Sequence, residues 1–434
     1  EVTNLIKDSK WPTAGPQGFQ VANSCRFATG SSDYMKKSQS GGNREKWTYS
    51  TWVKKTLKVA NSILINPIGV NIAFNSTHTL YMDVSGVGRI FETNALYRDV
   101  SAWYHIVVAF NTTDYSTVSA GQAKVYVNGV EQTFASTTNM SVGFDSGMNQ
   151  SGVDIGIARD ESGDNNYADY YLAETVLIDG QQLTPTSFGE FNSQTGIWVP
   201  KVVSGLTFGN NGFYLNYADS GNLGNDANGG TDFTEGGLTS IDQSTDTCST
   251  NFATGNILIP GTAGAATASE GSLKATSGQS SWETLFGTIA VGSGKWYAEF
   301  KTGATGTQFG VIDIGQATIY DIYGGSKSLG WGYDSDGIIY NNGGNTGGTY
   351  ASFTDGDIIG VALDMDNHKI YFAKNGTYQN SGVPTSGSTG TGAKSITSGY
   401  DYTFFFGAYN GNSSANFGSP PYAISSGNTD GNGF

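Results

Sequence analysis

The sequence predicts an all-β protein of two tandem antiparallel β-sandwiches joined by a polar connector rich in Gly, Asn and Asp. Three observations predict it. Strand-like runs recur at about 8–12-residue spacing, with Gly, Asn, Asp or Ser between them. Helical periodicity is nearly absent. Apolar residues also thin out sharply near the middle of the chain. The 434 residues include 62 Gly and 13% aromatics, only 14% are charged, and the net charge is −15. Few charges and many aromatics exclude a disordered chain. Ala, Glu, Lys and Leu are too scarce for a coiled coil, and Gly at every third position, the mark of collagen, is absent.

The strand candidates, in order, are Trp47–Lys54, Trp103–Phe110, Ala123–Val127, Trp296–Phe300, Ile358–Leu363 and Lys369–Phe372. Asn128-Gly129 and Asn375-Gly376 supply the positive φ of type I′ turns, so they predict tight hairpins between antiparallel strands. The one helical candidate, Thr184–Phe191, opens with a capping Thr and a Pro at its first position and amounts to a turn or two. Asp219–Asp246 cannot bury a core of its own and is expected to be an extended connector borrowing contacts from its neighbours. The expected domains are therefore 1–218, a connector at 219–249, and 250–434, each domain long enough for a sandwich core. Lys54, Lys55 and Lys58 read as a solvated strand face.

The acidic balance offers no basic stripe for a phosphate backbone, so nucleic acid is not expected as a partner. No run of 18 apolar residues occurs, so no membrane insertion is expected, and no charged-then-apolar leader stands at the start. Cys25 and Cys248 could pair, but two separate thiols are the simpler reading. His105 lies among apolar strand residues and reads as a core or rim histidine. His78 and His368 lie in turn-like sequence. No nucleophile elbow is present. Glu174 and Asp179, five apart on one strand, do not form the paired carboxylates that glycoside hydrolysis needs, so no catalytic residue is assigned. The composition best suits glycan binding by aromatic faces and Asp or Asn on loops. The loop-prone aromatics are Tyr115, Tyr167, Tyr320, Tyr323, Tyr340, Tyr350 and Tyr409, of which Tyr167, Tyr320, Tyr323 and Tyr340 are taken as the ligand-binding candidates.

Trp103–Val108 followed by Val125–Gly129 resembles the concanavalin A-like, or laminin-G-like, jelly roll. Cys25–Tyr34, Gly42–Lys54, Tyr171–Lys201, Gly209–Tyr217 and Leu223-Gly224-Asn225-Asp226 resemble a module of bacteriophage virion proteins, many from marine phages. In the second half, Gly294–Phe300, Gly330-Trp331-Gly332, Asp355–Asp364, Lys369–Gly376 and Asn416-Phe417-Gly418 resemble a SPRY domain, whose loops bind protein partners.

These resemblances imply a non-enzymatic structural protein at the virion surface: a tail fibre, spike or capsid decoration, or alternatively a carbohydrate-binding protein or depolymerase. The implied partners are other virion proteins, further copies of the chain as a homo-oligomer, and host-surface glycan. Related phage proteins continue past a segment like Thr429–Phe434, so the chain is expected to be part of a longer polypeptide. Laminin-G-like domains often bind calcium at a sandwich rim. Asp160, Asp164 and Asp169 would lie at such a rim and are a calcium candidate, against the alternative that they are ordinary turns. Asp219, Asp226 and Asp232 form a second acidic cluster.

Overall fold

The computed structural model describes residues 18–56, 62–161, 167–259, 267–303, 306–318 and 322–424. The protein is all-β and its strand pairs are antiparallel. The chain divides into two compact units, with the boundary between Asn251 and Phe252.

The first unit is a sandwich of two eight-stranded sheets. One sheet runs, in spatial order, Val130–Glu131, Ala123–Val127, Trp103–Asn111, Lys46–Lys55, Tyr170–Asp179, Ser24–Phe27 and Gln243–Ser244, and Phe213–Leu215 also pairs with Tyr170–Asp179. The other runs Phe134–Thr137, Gly88–Thr93, Leu80–Val84, Val70–Phe74, Ser62–Pro67, Asp154–Ile157, Tyr34–Ser38 and Thr234–Gly236. Alternation sets the core. Trp47, Tyr49 and Val53 point between the sheets and join Phe110, Phe74, Met82 and Leu172 there, while Trp52 packs on the other face with Trp103, Tyr171 and Trp198.

The Asn128-Gly129 hairpin forms as its sequence predicts, with φ of 49° and 79°. A side chain at 129 would also collide with Trp198, whose ring lies 2.3 Å from where a Cβ would stand. The expected helical turn is a single 3-10 turn, Pro185–Ser187, followed by the strand Gly189–Phe191.

Two expectations are corrected in this unit. The connector expected at 219–249, borrowing contacts from its neighbours, does borrow them, but it belongs to the first unit and adds a strand to each of that unit's sheets. Leu223 and Phe233 insert into the inter-sheet core, and three aspartates of the segment meet cations on the sheets. Asp226 faces Lys37 at 3.7 Å, Asp242 faces Arg26 at 3.1 Å, and Asp246 faces Lys54 at 2.8 Å. The segment cannot bury a core alone, but it completes one.

The second correction is that Lys54 and Lys55 are buried rather than solvated. Lys55 lies 4.5 Å from the centroid of the Phe74 ring and donates to the Tyr97 carbonyl at 3.2 Å. Burial lowers its amine to about 8. Lys58 lies outside the described residues. Cys25 and Cys248 are free thiols.

The second unit is built on two long strands, Lys274–Val291 and Tyr402–Asn416, which pair along most of their length. The first half of Tyr402–Asn416 also pairs with Thr307–Asp313 and the second half with Lys295–Thr302, so one continuous sheet folds over into a sandwich. Phe300 of one arm stacks on Phe309 of the other at 5.2 Å, with Phe404, Phe406 and Phe417 around them. The Asn375-Gly376 turn closes Lys369–Lys374 onto Thr377–Tyr378, with φ of 47° and 78°.

Candidate functional site

Four aromatic side chains that are only partly covered adjoin one another on the second unit. Trp282 and Tyr409 face each other across the pair of long strands, with ring centroids 6.0 Å apart. Tyr323 lies 5.6 Å from Trp282, and Tyr340 lies 6.2 Å from Tyr323. Tyr409 is 40% exposed, and the other three are half-buried.

Local sequence explains how Tyr323 reaches this row. The two residues after it are glycines lying directly on the sheet. A Cβ at Gly324 would come within 2.2 Å of the Phe405 ring, and one at Gly325 within 2.8 Å of Tyr340. Gly325 N–H then donates to Gln308 Oε1 at 2.9 Å, and the Ile322 carbonyl accepts from Thr284 Oγ1. Only glycine lets the backbone approach this closely, which holds Tyr323 between Trp282 and Tyr340.

The Tyr340 end is acidic. Tyr340 Oη donates to Asp336 Oδ2 at 2.9 Å, and the phenol is pushed up to about 12 by desolvation and by that hydrogen bond. Asp334, two residues before Asp336, accepts from Gln308 Nε2 at 3.3 Å. Burial and the neighbouring Asp336 raise the Asp334 carboxyl to about 6. Neighbouring rings of the row are inclined to one another by 48° to 76°, so individual ring faces, with carboxylates at one end, can stack on the C–H face of a sugar and accept bonds from its hydroxyls.

The structure thus brings Tyr323 and Tyr340 together and adds Tyr409 from the loop-prone aromatics. Tyr320 lies outside the described residues. Tyr167 belongs to the first unit, where it pairs with Tyr34 at 6.1 Å, and Arg159 covers the Tyr34 ring at 4.5 Å. Trp282, Asp334 and Asp336 were missed. Asp334-Ser335-Asp336-Gly337 was a visible signal, an acid-rich turn: Asp334 ends the strand Gly330–Asp334 and its carbonyl accepts from Gly337 N–H at 3.0 Å. Nothing in the sequence marked Trp282, which lies within a long strand.

Residues 295–397 match the SPRY domain family. The matched segment contributes Tyr323, Tyr340, Asp334 and Asp336, and Trp282 and Tyr409 come from the long strands on either side of it. No curated protein matches the chain. Among solved structures, the chain is similar to the SPRY domain of human HERC1, at 21% identity over 34% of this chain and 89% of that one, with a TM-score of 0.26. It is also similar to a candidate carbohydrate-binding protein from Bacteroides ovatus, at 15% identity over 51% of this chain and 60% of that one, TM-score 0.36. A third is a heptameric SAP-like pentraxin from Limulus polyphemus, at 14% identity over 35% and 71%, TM-score 0.26.

The other candidates have structural explanations. His105 is buried between Trp52 and Trp198. Its Nδ1 accepts from Trp198 Nε1 at 3.0 Å and its Nε2 lies 2.9 Å from Ser50 Oγ. Burial lowers its pKa to about 3, too low for a general base near neutral pH. Asp179 accepts from the backbone N–H groups of Asn43, Asn210 and Asn211, so it organises loops. Glu174 stands at a bulge with φ of 50° and accepts from Tyr214 Oη at 2.5 Å, and burial raises its carboxyl to about 7.

Of the calcium candidates, Asp169 has both oxygens occupied by Thr29, one by its N–H at 2.9 Å and the other by its hydroxyl. Asp160 is buried, and Asp164 lies outside the described residues. Among the described residues no group of three or more His, Cys, Asp or Glu could hold a metal ion. No helix among them is long and apolar enough to cross a membrane.

Proposed function

We propose that this chain is a non-enzymatic binding protein of a bacteriophage particle, in a tail fibre, spike or capsid decoration, and that it meets host-surface glycan through the row Trp282, Tyr323, Tyr340 and Tyr409. The observation that carries the binding role is that row itself: partly covered aromatic faces held by glycine-enabled backbone contacts and ending in carboxylates. The particle assignment rests on the resemblance to the phage module, which covers much of residues 19–250. In such a particle the chain assembles with other virion proteins and with copies of itself.

The test is a glycan array probed with the wild-type chain and with Trp282→Ala. Losing one stacking face should weaken binding at least about tenfold, with the thermal transition of the second unit nearly unmoved. Equal binding by the two proteins overturns the site. Fixed stoichiometry in purified particles supports the particle role, and absence from them ends it.

A second reading, a glycan depolymerase, is favoured by one observation. The raised Asp334 carboxyl beside Asp336 is an acid–base setting at the end of a stacking row. It predicts release of reducing ends from host polysaccharide, abolished by Asp334→Asn. Binding without turnover supports the first reading.

A further inference from the structure

The first unit holds an amine, a carboxamide and a carboxylate in mutual contact. Lys54 Nζ donates to Asp246 Oδ2 at 2.8 Å and to Asn251 Oδ1 at 2.8 Å. Lysine carries no acceptor, so it is the carbonyl of Asn251 that faces it. The Lys54 side chain is wholly buried and that of Asp246 is 3% exposed. Trp103 Nε1 donates to Asp246 Oδ1 at 3.1 Å, and Trp52, Trp103 and Tyr171 make the surroundings apolar. On its far side Asn251 is exposed, and its Nδ2 donates to the Ser101 carbonyl at 2.7 Å.

We propose that Lys54 and Asn251 become joined by an intramolecular isopeptide bond, formed by the chain itself with Asp246 as proton carrier.

Each part has a place in that reaction. With a C=O bond of about 1.2 Å, the Asn251 Cγ lies within about 4 Å of Nζ, near the roughly 3–3.5 Å of a near-attack contact. Desolvation lowers the lysine's proton affinity, which favours the neutral amine the reaction needs. Asp246 takes one proton from the ammonium. The Nζ lone pair then forms a bond to Cγ, and the carbonyl electrons move to Oδ1. As the carbonyl re-forms, the Cγ–Nδ2 bond breaks and Nζ gives up its second proton, so the two protons lost by Nζ, relayed through Asp246, leave with Nδ2 as ammonium. Nothing is oxidised or reduced, and the net change is one ammonium released per bond formed. The leaving nitrogen is on the solvent side of Asn251, so ammonia has a way out. The new amide N–H remains beside Asp246. The bond would fasten the last residue of the first unit to its central strand.

The experiment is intact mass and peptide mapping of the full chain. The expected result is a protein one ammonia lighter than its sequence, with a proteolytic peptide joining the strand 46–55 to residue 251. A chain at its sequence mass overturns the proposal. So does ammonia loss without the joined peptide, which would mark a succinimide at one of the Asn-Gly pairs, such as Asn128-Gly129 or Asn375-Gly376. A loss of water with Lys54 joined to Asp246 also overturns it. Lys54→Arg keeps the charge without the nucleophile, and Asn251→Ala alters an exposed side chain, so both should fold and stay at their sequence mass. Asp246→Asn should leave most of the chain unjoined, and full bonding in that variant overturns the role given to Asp246.

Discussion

The two units keep their charges in different places. The first buries three cation–carboxylate pairs, Arg26–Asp242, Lys37–Asp226 and Lys54–Asp246, with side chains no more than 9% exposed. In the second unit the ion pairs among the described residues have at least one open partner: Lys295, facing Asp364, is 42% exposed, and Lys374, facing Asp357, is 25% exposed. Its interior is instead a stack of phenylalanines centred on Phe300. The difference follows from what each unit must hold. The first has to secure a segment with few apolar residues, and polar anchors are what Asp226, Asp242 and Asp246 can supply. The second folds one sheet over on itself, so apolar residues already face each other across the fold. Buried pairs are weak evidence for added stability, but they fix where a segment sits.

The largest effects should come from breaking each unit by its own means. Asp242→Ala takes the Asp242 carboxylate away from the buried Arg26 guanidinium and removes the reciprocal cap on Thr239. It should cost the first unit about 3–5 kcal/mol, read by calorimetry as a lowered first-unit transition with the second unmoved. The double change Arg26→Met with Asp242→Leu should recover most of that loss, and failure to recover would mean the segment is held by something other than charge. In the second unit Phe300→Ala should cost about 3–5 kcal/mol. Lys295→Ala, which removes an open pair, should cost at most about 1 kcal/mol. If Lys295→Ala costs as much as Asp242→Ala, the contrast between the units fails.

How much of this could be read in the sequence depended on distance along the chain. The hairpins at Asn128-Gly129 and Asn375-Gly376 were legible because two adjacent residues carry the whole signal. The strand Lys46–Lys55 was legible from its composition, but the state of Lys54 was not, because its partner Asp246 is 192 positions away. The segment 219–249 misled for the same reason. Its low apolar content correctly denies it a core of its own but says nothing of the lysines and arginine waiting on the sheets. The aromatic row was half legible: Tyr323 and Tyr340 lie in loop-like sequence, whereas Trp282 lies on a strand and joins them only through the folded sheet.

Acid should move the units in opposite directions at two named groups. Asp334, raised to about 6 in the folded protein against an unfolded value near 3.9, is protonated more readily when folded. Its contribution is therefore fully present at low pH and is lost as pH rises through about 6. Asp334→Asn should flatten the second unit's thermal stability between about pH 4 and 6, and an unchanged profile would mean that the carboxyl is solvated.

His105 has the opposite sign. Its folded value of about 3 lies below an unfolded value near 6.5, so the stability it contributes is present above about 6.5 and is lost as pH falls toward 3. The expected observation is the absence of a signal. Trp198 Nε1–H can only donate, so Nδ1 must be the acceptor and the ring proton belongs on Nε2, pointing at Ser50 Oγ. Nitrogen chemical shifts should report this single neutral tautomer unchanged from about pH 8 to 4 while the unit stays folded. A titration midpoint near 6.5 would mean that water reaches the stack of Trp52, His105 and Trp198, and that the first unit does not shield its interior as its buried ion pairs require.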